Sequence, residues 1–223
     1  MEEKGILYVM STAVDGLLKI GKTRSDQFEI RMSDLERNGY RNVTKLERKF
    51  AIEVEDFDSK EVLLHTIFSK SRIGQTELFA ADLETIIQLL SSFEGKQVYP
   101  KNRTKEEVFE EAKDKQDEEN SALLPDGLYR LTKNVKGFGK VTASLETKNG
   151  KMVVKAGSIC APSSNPKYQT IQNKANIQNA KLQEDYPCTS VSTAAVLVSG
   201  HSENGWTAWK DQKGNPIDIY RNK

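Results

Sequence analysis

The sequence predicts an α/β protein of the α+β kind, with two domains. The first 95 residues begin with short, β-prone apolar runs and continue with segments whose apolar residues recur at helical spacing. After residue 120 the strand-like alternation returns. We therefore place a small N-terminal domain at 1–95, a charged helical linker at 96–120 and an α+β domain at 121–223. The N-terminal domain should contain a central antiparallel or mixed three-stranded sheet flanked by helices.

The chain opens with a predicted β-hairpin. Its strands are Ile6–Met10 and Leu17–Ile20, and Gly21 closes the second strand. The connection between them contains Asp15-Gly16, a pair typical of tight hairpin turns. The hairpin therefore places the side chains of its two strands next to one another on a small sheet.

The rest of the N-terminal domain alternates helices with a strand. The first helix should bury Phe28, Met32 and Leu35 and end at Asn38-Gly39, because glycine favours helix C-termini. A strand with alternating apolar residues and two further helices follow. Their predicted limits are about 46–54 for the strand and about 59–69 and 82–93 for the helices.

The linker prediction rests on charge. Thr104 and Glu107 form a capping-box pattern at the start of a helix that carries few apolar residues. Such a helix buries little surface, so we expect it to be exposed.

The C-terminal domain should be rich in strands at its beginning. Alternating residues at 128–132 and 138–147 predict two strands, and Lys148-Asn149-Gly150 predicts a turn into a third. Two helices and a closing hairpin should follow. Their expected limits are about 168–183 and 191–199 for the helices, and 206–209 with 217–220 for the hairpin.

Charge is distributed unevenly along the 223 residues. The net charge is +1, but residues 1–95 sum to −4 and residues 121–223 to +7. The basic balance of the C-terminal part predicts a polyanionic partner such as DNA. The alternative is that this excess only keeps the surface solvated.

Composition also limits the cellular setting. No apolar run approaches the roughly 18 residues of a membrane span. The acidic start, Met1-Glu2-Glu3-Lys4, lacks the pattern of a secretory signal. Cys160 and Cys188 have no CxxC neighbour, which favours ordinary thiols in a reducing cytoplasm.

The hairpin and the first helix carry groups suited to a phosphodiester. Tyr8 offers a phenol that could take or relay a proton if neighbouring cations lowered its pKa. Lys19 and Lys22, on the facing strand, would supply that positive field, and Arg31 has the forked geometry that matches phosphate oxygens. Each residue considered alone has a simpler interpretation. Tyr8 would be a packing residue and Lys19 a solvated strand residue. Arg31 would form an ion pair with Asp26 or Asp34.

A later helix carries a possible metal ligand. Glu61 could hold one Mg²⁺ or Mn²⁺ ion, since both prefer oxygen ligands. His65 lies four residues further on, about one turn along the same helix face. Alone, this pair would indicate a solvated helix face. Glu77 could be a second carboxylate, although a structural pairing with Arg72 is favoured.

These motifs resemble the GIY-YIG nuclease superfamily. Gly5-Ile6-Leu7-Tyr8 matches the first signature and Lys19-Ile20-Gly21-Lys22 the second, while Arg31 and Glu61 match the arginine and the metal-binding glutamate. The continuation through Glu61, His65 and Glu77-Leu78-Phe79 resembles the phage-type subgroup. The match covers about residues 4–93 and departs from the family at Lys19, where the second signature has a tyrosine.

The resemblance implies a metal-dependent endonuclease that hydrolyses DNA. The alternative is a non-catalytic nucleic-acid-binding or regulatory protein that kept the fold. The C-terminal part resembles an uncharacterised domain that often follows GIY-YIG domains in bacterial proteins, and that match brings no function. Trp206 and Trp209 are either core anchors, the favoured interpretation, or stacking groups for nucleic acid beside Asn204 and Lys210.

Overall fold

A computed structural model describes residues 4–221 of the chain. Residues 1–3, which belong to the segment without a signal-peptide pattern, and residues 222–223 lie outside the described part. The described chain forms two compact units that divide between Lys115 and Gln116. Its helices and strands agree with the predicted α+β class.

The N-terminal unit is built on one antiparallel sheet. The predicted hairpin strands and the third strand form its centre, and two short strands that were not predicted extend its edges, in the order β4-β2-β1-β3-β5. The strands are β1 (Lys4–Ser11), β2 (Leu17–Arg24), β3 (Glu47–Glu55), β4 (Leu78–Ala80) and β5 (Lys96–Tyr99).

Helices cover both faces of this sheet. They are α1 (Phe28–Asn38), α2 (Phe57–Ile67), α3 (Leu83–Ser92) and α4 (Lys105–Ala122). One face of β1 packs with Met32 and Leu35 of α1. The other face packs with Leu64 of α2 and Ile86 of α3. Because successive strand residues point to opposite faces, the hairpin contributes to both cores.

The predicted exposed linker is wrong in two respects. Its first residues form β5, which pairs with β3. Its helix, α4, buries Val108 and Ala112 against the core of the N-terminal unit. These two apolar residues lie four positions apart, so even a highly charged helix presents a narrow buried stripe.

The C-terminal unit has a four-stranded antiparallel sheet in the order β11-β8-β7-β6 and a separate two-stranded one. Their strands are β6 (Gly127–Val135), β7 (Gly139–Lys148), β8 (Lys151–Val154), β9 (Ile177–Gln178), β10 (Lys181–Leu182) and β11 (Tyr186–Cys188). The helices are α5 (Pro166–Gln172), α6 (Val191–Ser199) and α7 (Gly205–Ala208). The predicted β6–β7–β8 strands and the α6 helix are confirmed.

Two C-terminal predictions are wrong. The helix expected over 168–183 ends at Gln172. The chain after it forms the β9–β10 hairpin, in which the turn residues Asn179 and Ala180 have a left-handed backbone conformation. The expected closing hairpin is instead the short helix α7 and a 3-10 turn at Ile217–Tyr220. The Asn204 side chain caps α7 by accepting a hydrogen bond from the Trp206 N–H.

Candidate active site

The hairpin register distributes the predicted residues over two faces. Tyr8 lies opposite Gly21, Lys19 opposite Met10, and Lys22 opposite Leu7. Tyr8 therefore shares the α1 face of the sheet with Lys19. Lys22 lies on the other face, towards α2.

Gly21 leaves the space in which the first two groups meet. A Cβ atom added at Gly21 would lie 2.7 Å from the Tyr8 hydroxyl oxygen and 3.0 Å from the Lys19 Nζ. Any larger residue would displace one or both groups. The second motif therefore needs glycine at position 21, because a side chain there would clash with the Tyr8 phenol and the Lys19 ammonium group.

Lys19 is fully buried, which is rare for a lysine. Its Nζ donates a hydrogen bond to Glu77 and lies 4.5 Å from the centre of the Tyr40 ring and 5.3 Å from that of Tyr8. Burial lowers the pKa of Lys19, and the Glu77 carboxylate opposes this effect. The expected solvated lysine is therefore wrong.

Glu77 has a different partner from the one predicted. Its carboxylate binds Lys19, whereas Arg72 donates its Nε hydrogen to the Thr76 carbonyl oxygen at 2.6 Å. Glu77 thus has a structural role as the counter-charge of a buried cation.

Tyr8 is buried, with 1% of its surface exposed. Its hydroxyl has no hydrogen-bond partner among the described residues. Burial raises the pKa of Tyr8 to about 12, although the nearby Arg31 guanidinium opposes the shift. The expectation that cations lower this pKa is wrong, because desolvation of the phenolate outweighs their attraction. Tyr8 is protonated at neutral pH.

Arg31 extends from α1 towards Tyr8. It forms no ion pair with any carboxylate in residues 4–221, while Asp26 pairs with Arg24 and Asp34 accepts a hydrogen bond from Asn38. Arg31 is half-buried and lines an open pocket of about 630 Å³, which is formed by α1 and the residues before it. Arg31 therefore forms neither of the expected ion pairs with Asp26 and Asp34, and its guanidinium group is available to a ligand.

Lys22 joins the hairpin to α2. Its Nζ lies 2.9 Å from Glu61 Oε2 and 2.5 Å from Asp58 Oδ1. These carboxylates, Asp58 above all, raise the pKa of Lys22. Glu61 is nearly buried, with 12% of its side chain exposed, whereas 64% of the Asp58 side chain is exposed.

His65 lies on the same side of α2 as Glu61. Its ring centre is 5.1 Å from that of Phe79, and burial lowers its pKa below the ordinary 6.5. Its Nε2 is buried without a hydrogen-bond partner among the described residues. A neutral imidazole with an unused nitrogen is therefore held beside a carboxylate.

Glu61 is the carboxylate that the sequence assigned to a divalent ion. Mg²⁺ is commonly held by one or two carboxylates while it keeps several water ligands and binds substrate phosphates. The nearly buried Glu61 carboxylate is already paired with the Lys22 ammonium at 2.9 Å, so a divalent ion would have to share this carboxylate with Lys22 or displace it. Residues 4–221 contain no group of three or more His, Cys, Asp or Glu residues placed to bind a metal together.

Tyr40 joins the site although no motif in the sequence indicated it. Its ring covers Lys19, and its hydroxyl accepts a long hydrogen bond from the Glu77 N–H at 3.4 Å. It follows the helix-ending Gly39, in a tight turn where Arg41 and Asn42 are left-handed. The pair Asn38-Gly39 indicated a turn, but no sequence pattern indicated that the turn returns to β2.

The tryptophans of the C-terminal unit are core residues. Trp206 is 2% exposed and Trp209 is fully buried. The Nε1 of Trp206 donates to Asp117 at 2.6 Å, and that of Trp209 to the Val191 carbonyl at 3.0 Å. The core-anchor interpretation is confirmed, and neither ring is available for base stacking.

Two family models match separate parts of the chain. Residues 5–94 match the T5orf172 domain, and residues 133–221 match the domain of unknown function DUF4357. Searches of curated proteins and of solved structures each found no match. None of the helices in residues 4–221 combines the length and apolar character of a membrane span. The chain is thus similar to a T5orf172 domain in the N-terminal unit, which holds the candidate active site, and to DUF4357 in the C-terminal unit.

Proposed function

We propose that the N-terminal unit is a metal-dependent endonuclease of the GIY-YIG type that hydrolyses DNA phosphodiester bonds. We also propose that the C-terminal unit binds DNA and directs the nuclease to it. One observation carries the proposal. The buried hydroxyl of Tyr8 and the buried Nε2 of His65 form no hydrogen bond of normal geometry with the described residues, although the Arg31 guanidinium lies close to Tyr8. Such groups cost about 1–3 kcal/mol each when left unpaired. The two groups lie on opposite faces of the sheet. Burial has the largest effect on the pKa of each, but the Glu61 and Glu77 carboxylates act to raise the pKa of both, which supports treating them as parts of one site.

Arg31 and Lys19 would take different roles in phosphodiester hydrolysis. Arg31 can bind two phosphate oxygens, because its fork has no competing ion pair among the described carboxylates. Lys19 is fully buried and paired with Glu77, so its role would be to hold the Tyr8 and Tyr40 rings in place and not to contact the phosphate.

The proton transfers divide between Tyr8 and His65. Tyr8 is protonated at neutral pH, so it can donate a hydrogen bond or relay a proton, but it is not a ready base. His65 is neutral, so it can accept a proton from water directly or through Glu61. Glu61 would hold Mg²⁺ or Mn²⁺, and the bound ion would offset the charge that develops on the phosphate oxygens.

A second function is favoured by a specific contact. The ammonium group of Lys22 occupies Oε2 of Glu61, and a lysine replaces the second signature tyrosine. Both features would suit a protein that binds nucleic acid through this fold without cleaving it.

A plasmid-nicking assay tests the proposal. Supercoiled plasmid would be incubated with the full chain and Mg²⁺, Mn²⁺ or EDTA, and nicking should require the metal. Glu61→Gln should lower the rate at least roughly 10²-fold, the cost of losing one preorganised electrostatic group. Glu55→Gln is the matched control, since Glu55 is 55% exposed and pairs with Lys4. Equal metal-dependent nicking by wild type and Glu61→Gln would contradict the assignment. DNA binding without nicking by the wild type would favour the second function.

A further inference from the structure

The four-stranded sheet of the C-terminal unit is covered on one face only. Tyr129, Leu131, Val141, Ala143 and Leu145 point into the core, where they pack with α6 and both tryptophans. The alternate residues of β6 and β7 point to the other face, and all of them are exposed except the half-buried Ser144. We call this second surface the open face.

Positive side chains are concentrated on the open face. Strand register places Arg130 opposite Ser144, Asn134 opposite Lys140, and Lys148 opposite Lys151. Lys210 joins them, because it forms a β-bridge with Arg130 and bridge partners point to the same side. Lys155 continues β8 at the same register, next to Ser144.

The two carboxylates on this face share one lysine. Glu146 and Asp185 both bind the Nζ of Lys155, at 3.0 and 2.5 Å. The other five cations form no ion pair with any carboxylate in residues 4–221. By contrast, Lys133, on the opposite face of β6, pairs with Glu203. The open face therefore has an excess of positive charge that its own carboxylates do not balance.

This arrangement lowers the stability of the free protein. Lys148 and Lys151 lie directly opposite each other, where like charges repel across a sheet. Arg130 and Lys210 are also paired, through a β-bridge at the edge of the sheet, and their positive charges repel each other in the same way. A polyanion would relieve both repulsions.

The remaining side chains indicate which polyanion fits. Thr132 lies opposite Thr142, so two hydroxyl groups that can donate to phosphate oxygens stand among the cations. Leu128, Val153 and Pro187 complete the strand positions of the face, and none of the β6, β7, β8 and β11 residues that point to it is aromatic. The exposed Phe138 lies in the turn before β7. Single-stranded nucleic acids are usually held by stacking on aromatic rings. From Lys140 to Lys148 the face extends roughly 27 Å along β7, enough to follow several phosphates of a duplex.

We propose that the open face of the β6–β7–β8 sheet, with Arg130, Lys140, Lys148, Lys151 and Lys210, is the DNA-binding surface of this protein and contacts the phosphate backbone of duplex DNA. The proposal rests on the proposed function only in taking DNA as the partner. It assigns a site to the domain of unknown function and does not depend on cleavage.

Duplex binding by the full-length chain tests this surface. Fluorescence anisotropy of a labelled 30-base-pair duplex would be measured in EDTA over a series of salt concentrations. The triple variant Lys140→Gln/Lys148→Gln/Lys151→Gln should bind at least roughly tenfold more weakly at moderate salt. The slope of log affinity against log salt should fall in magnitude by about 3, since each substituted lysine would leave one phosphate without its cation.

The matched control carries the same charge change elsewhere. Lys174→Gln/Lys181→Gln/Lys213→Gln alters three exposed lysines outside the open-face positions and should keep the wild-type slope. The surface assignment would be overturned if both triple variants bound the duplex equally weakly. It would also be overturned if the Lys140→Gln/Lys148→Gln/Lys151→Gln variant kept the wild-type affinity. Preference for the single strand, or for an RNA duplex, would overturn the choice of partner.

Cleavage and binding failures are distinguishable. If the wild type binds the duplex through these lysines but does not nick plasmid, the nuclease proposal fails and this one stands. If it nicks plasmid while the triple variant binds normally, only the surface assignment fails. Thermal unfolding of both triple variants would verify that they remain folded.

Discussion

The Lys22 Nζ lies 2.9 Å from Oε2 of Glu61, so the second hairpin motif and the helix with the candidate metal ligand are in direct contact. Lys22→Gln should destabilise the protein by about 1–3 kcal/mol, because it leaves a nearly buried carboxylate without its cation. Urea unfolding measures this change. Asp58→Asn should cost less than about 1 kcal/mol, since that carboxylate is exposed. If Lys22→Gln/Glu61→Gln is no more stable than Lys22→Gln alone, the unpaired carboxylate is not the cause.

Tyr8→Phe should separate chemistry from folding. The ring remains packed, and the hydroxyl that is removed is buried without a partner among the described residues, so the free energy of unfolding should rise by about 1–3 kcal/mol. Plasmid nicking should fall by about 10²-fold or more if the phenol handles a proton. Anisotropy with the labelled duplex should show unchanged DNA binding. Full nicking activity in Tyr8→Phe would remove this residue from the mechanism.

Arg31→Lys should impair cleavage despite keeping the charge, because an ammonium group cannot reproduce the two parallel hydrogen bonds of a guanidinium. We expect roughly a 10²-fold lower nicking rate with little change in unfolding. Arg103→Lys is the matched control, since Arg103 is an exposed arginine of the same unit that pairs with Glu111. Equal rates for the two variants would contradict a role for the fork.

Gly21→Ala should destabilise the N-terminal unit by about 1–3 kcal/mol through overpacking. The new methyl group would lie 2.7 Å from the Tyr8 hydroxyl oxygen, which a rigid ring cannot easily withdraw. Gly127→Ala should be tolerated, because its nearest neighbour, the Tyr129 hydroxyl oxygen, lies at an ordinary 3.7 Å. Urea unfolding of both variants tests this. Tyr8→Phe should restore part of the stability that Gly21→Ala removes; no restoration would place the clash elsewhere.

His65 should make stability depend on pH. Burial lowers its pKa in the folded state below 6.5, so the unfolded chain binds the proton first as the pH falls. His65 should therefore destabilise the fold progressively as the pH decreases from about 7 through 6.5 and down to the folded-state pKa. Below that value its contribution becomes constant. Unfolding free energies of wild type and His65→Gln should diverge across this window, and parallel curves would exclude the effect.

Local patterns in the sequence determined the elements and their order in the N-terminal unit. The β-prone apolar runs on either side of Asp15-Gly16 predicted the β1–β2 hairpin, and Asn38-Gly39 predicted the end of α1. These predictions succeeded because a turn, a strand face and a helix end depend on residues only a few positions apart. The same locality placed Glu61 and His65 one helical turn apart.

Only the tertiary structure decided what surrounds those side chains. Lys19 and Glu77 are 58 positions apart in the chain, and no local pattern connects them. Tyr40 reaches Lys19 through a left-handed turn, and the pKa of Tyr8 follows from the atoms that exclude water from its ring. The open face likewise exists only because strand register aligns lysines from separate strands, and the same packing turned Trp206 and Trp209 inwards. The burial of a side chain, its ion-pair partners and its electrostatic environment depend on residues that are distant in the sequence, so they are established only when the chain folds.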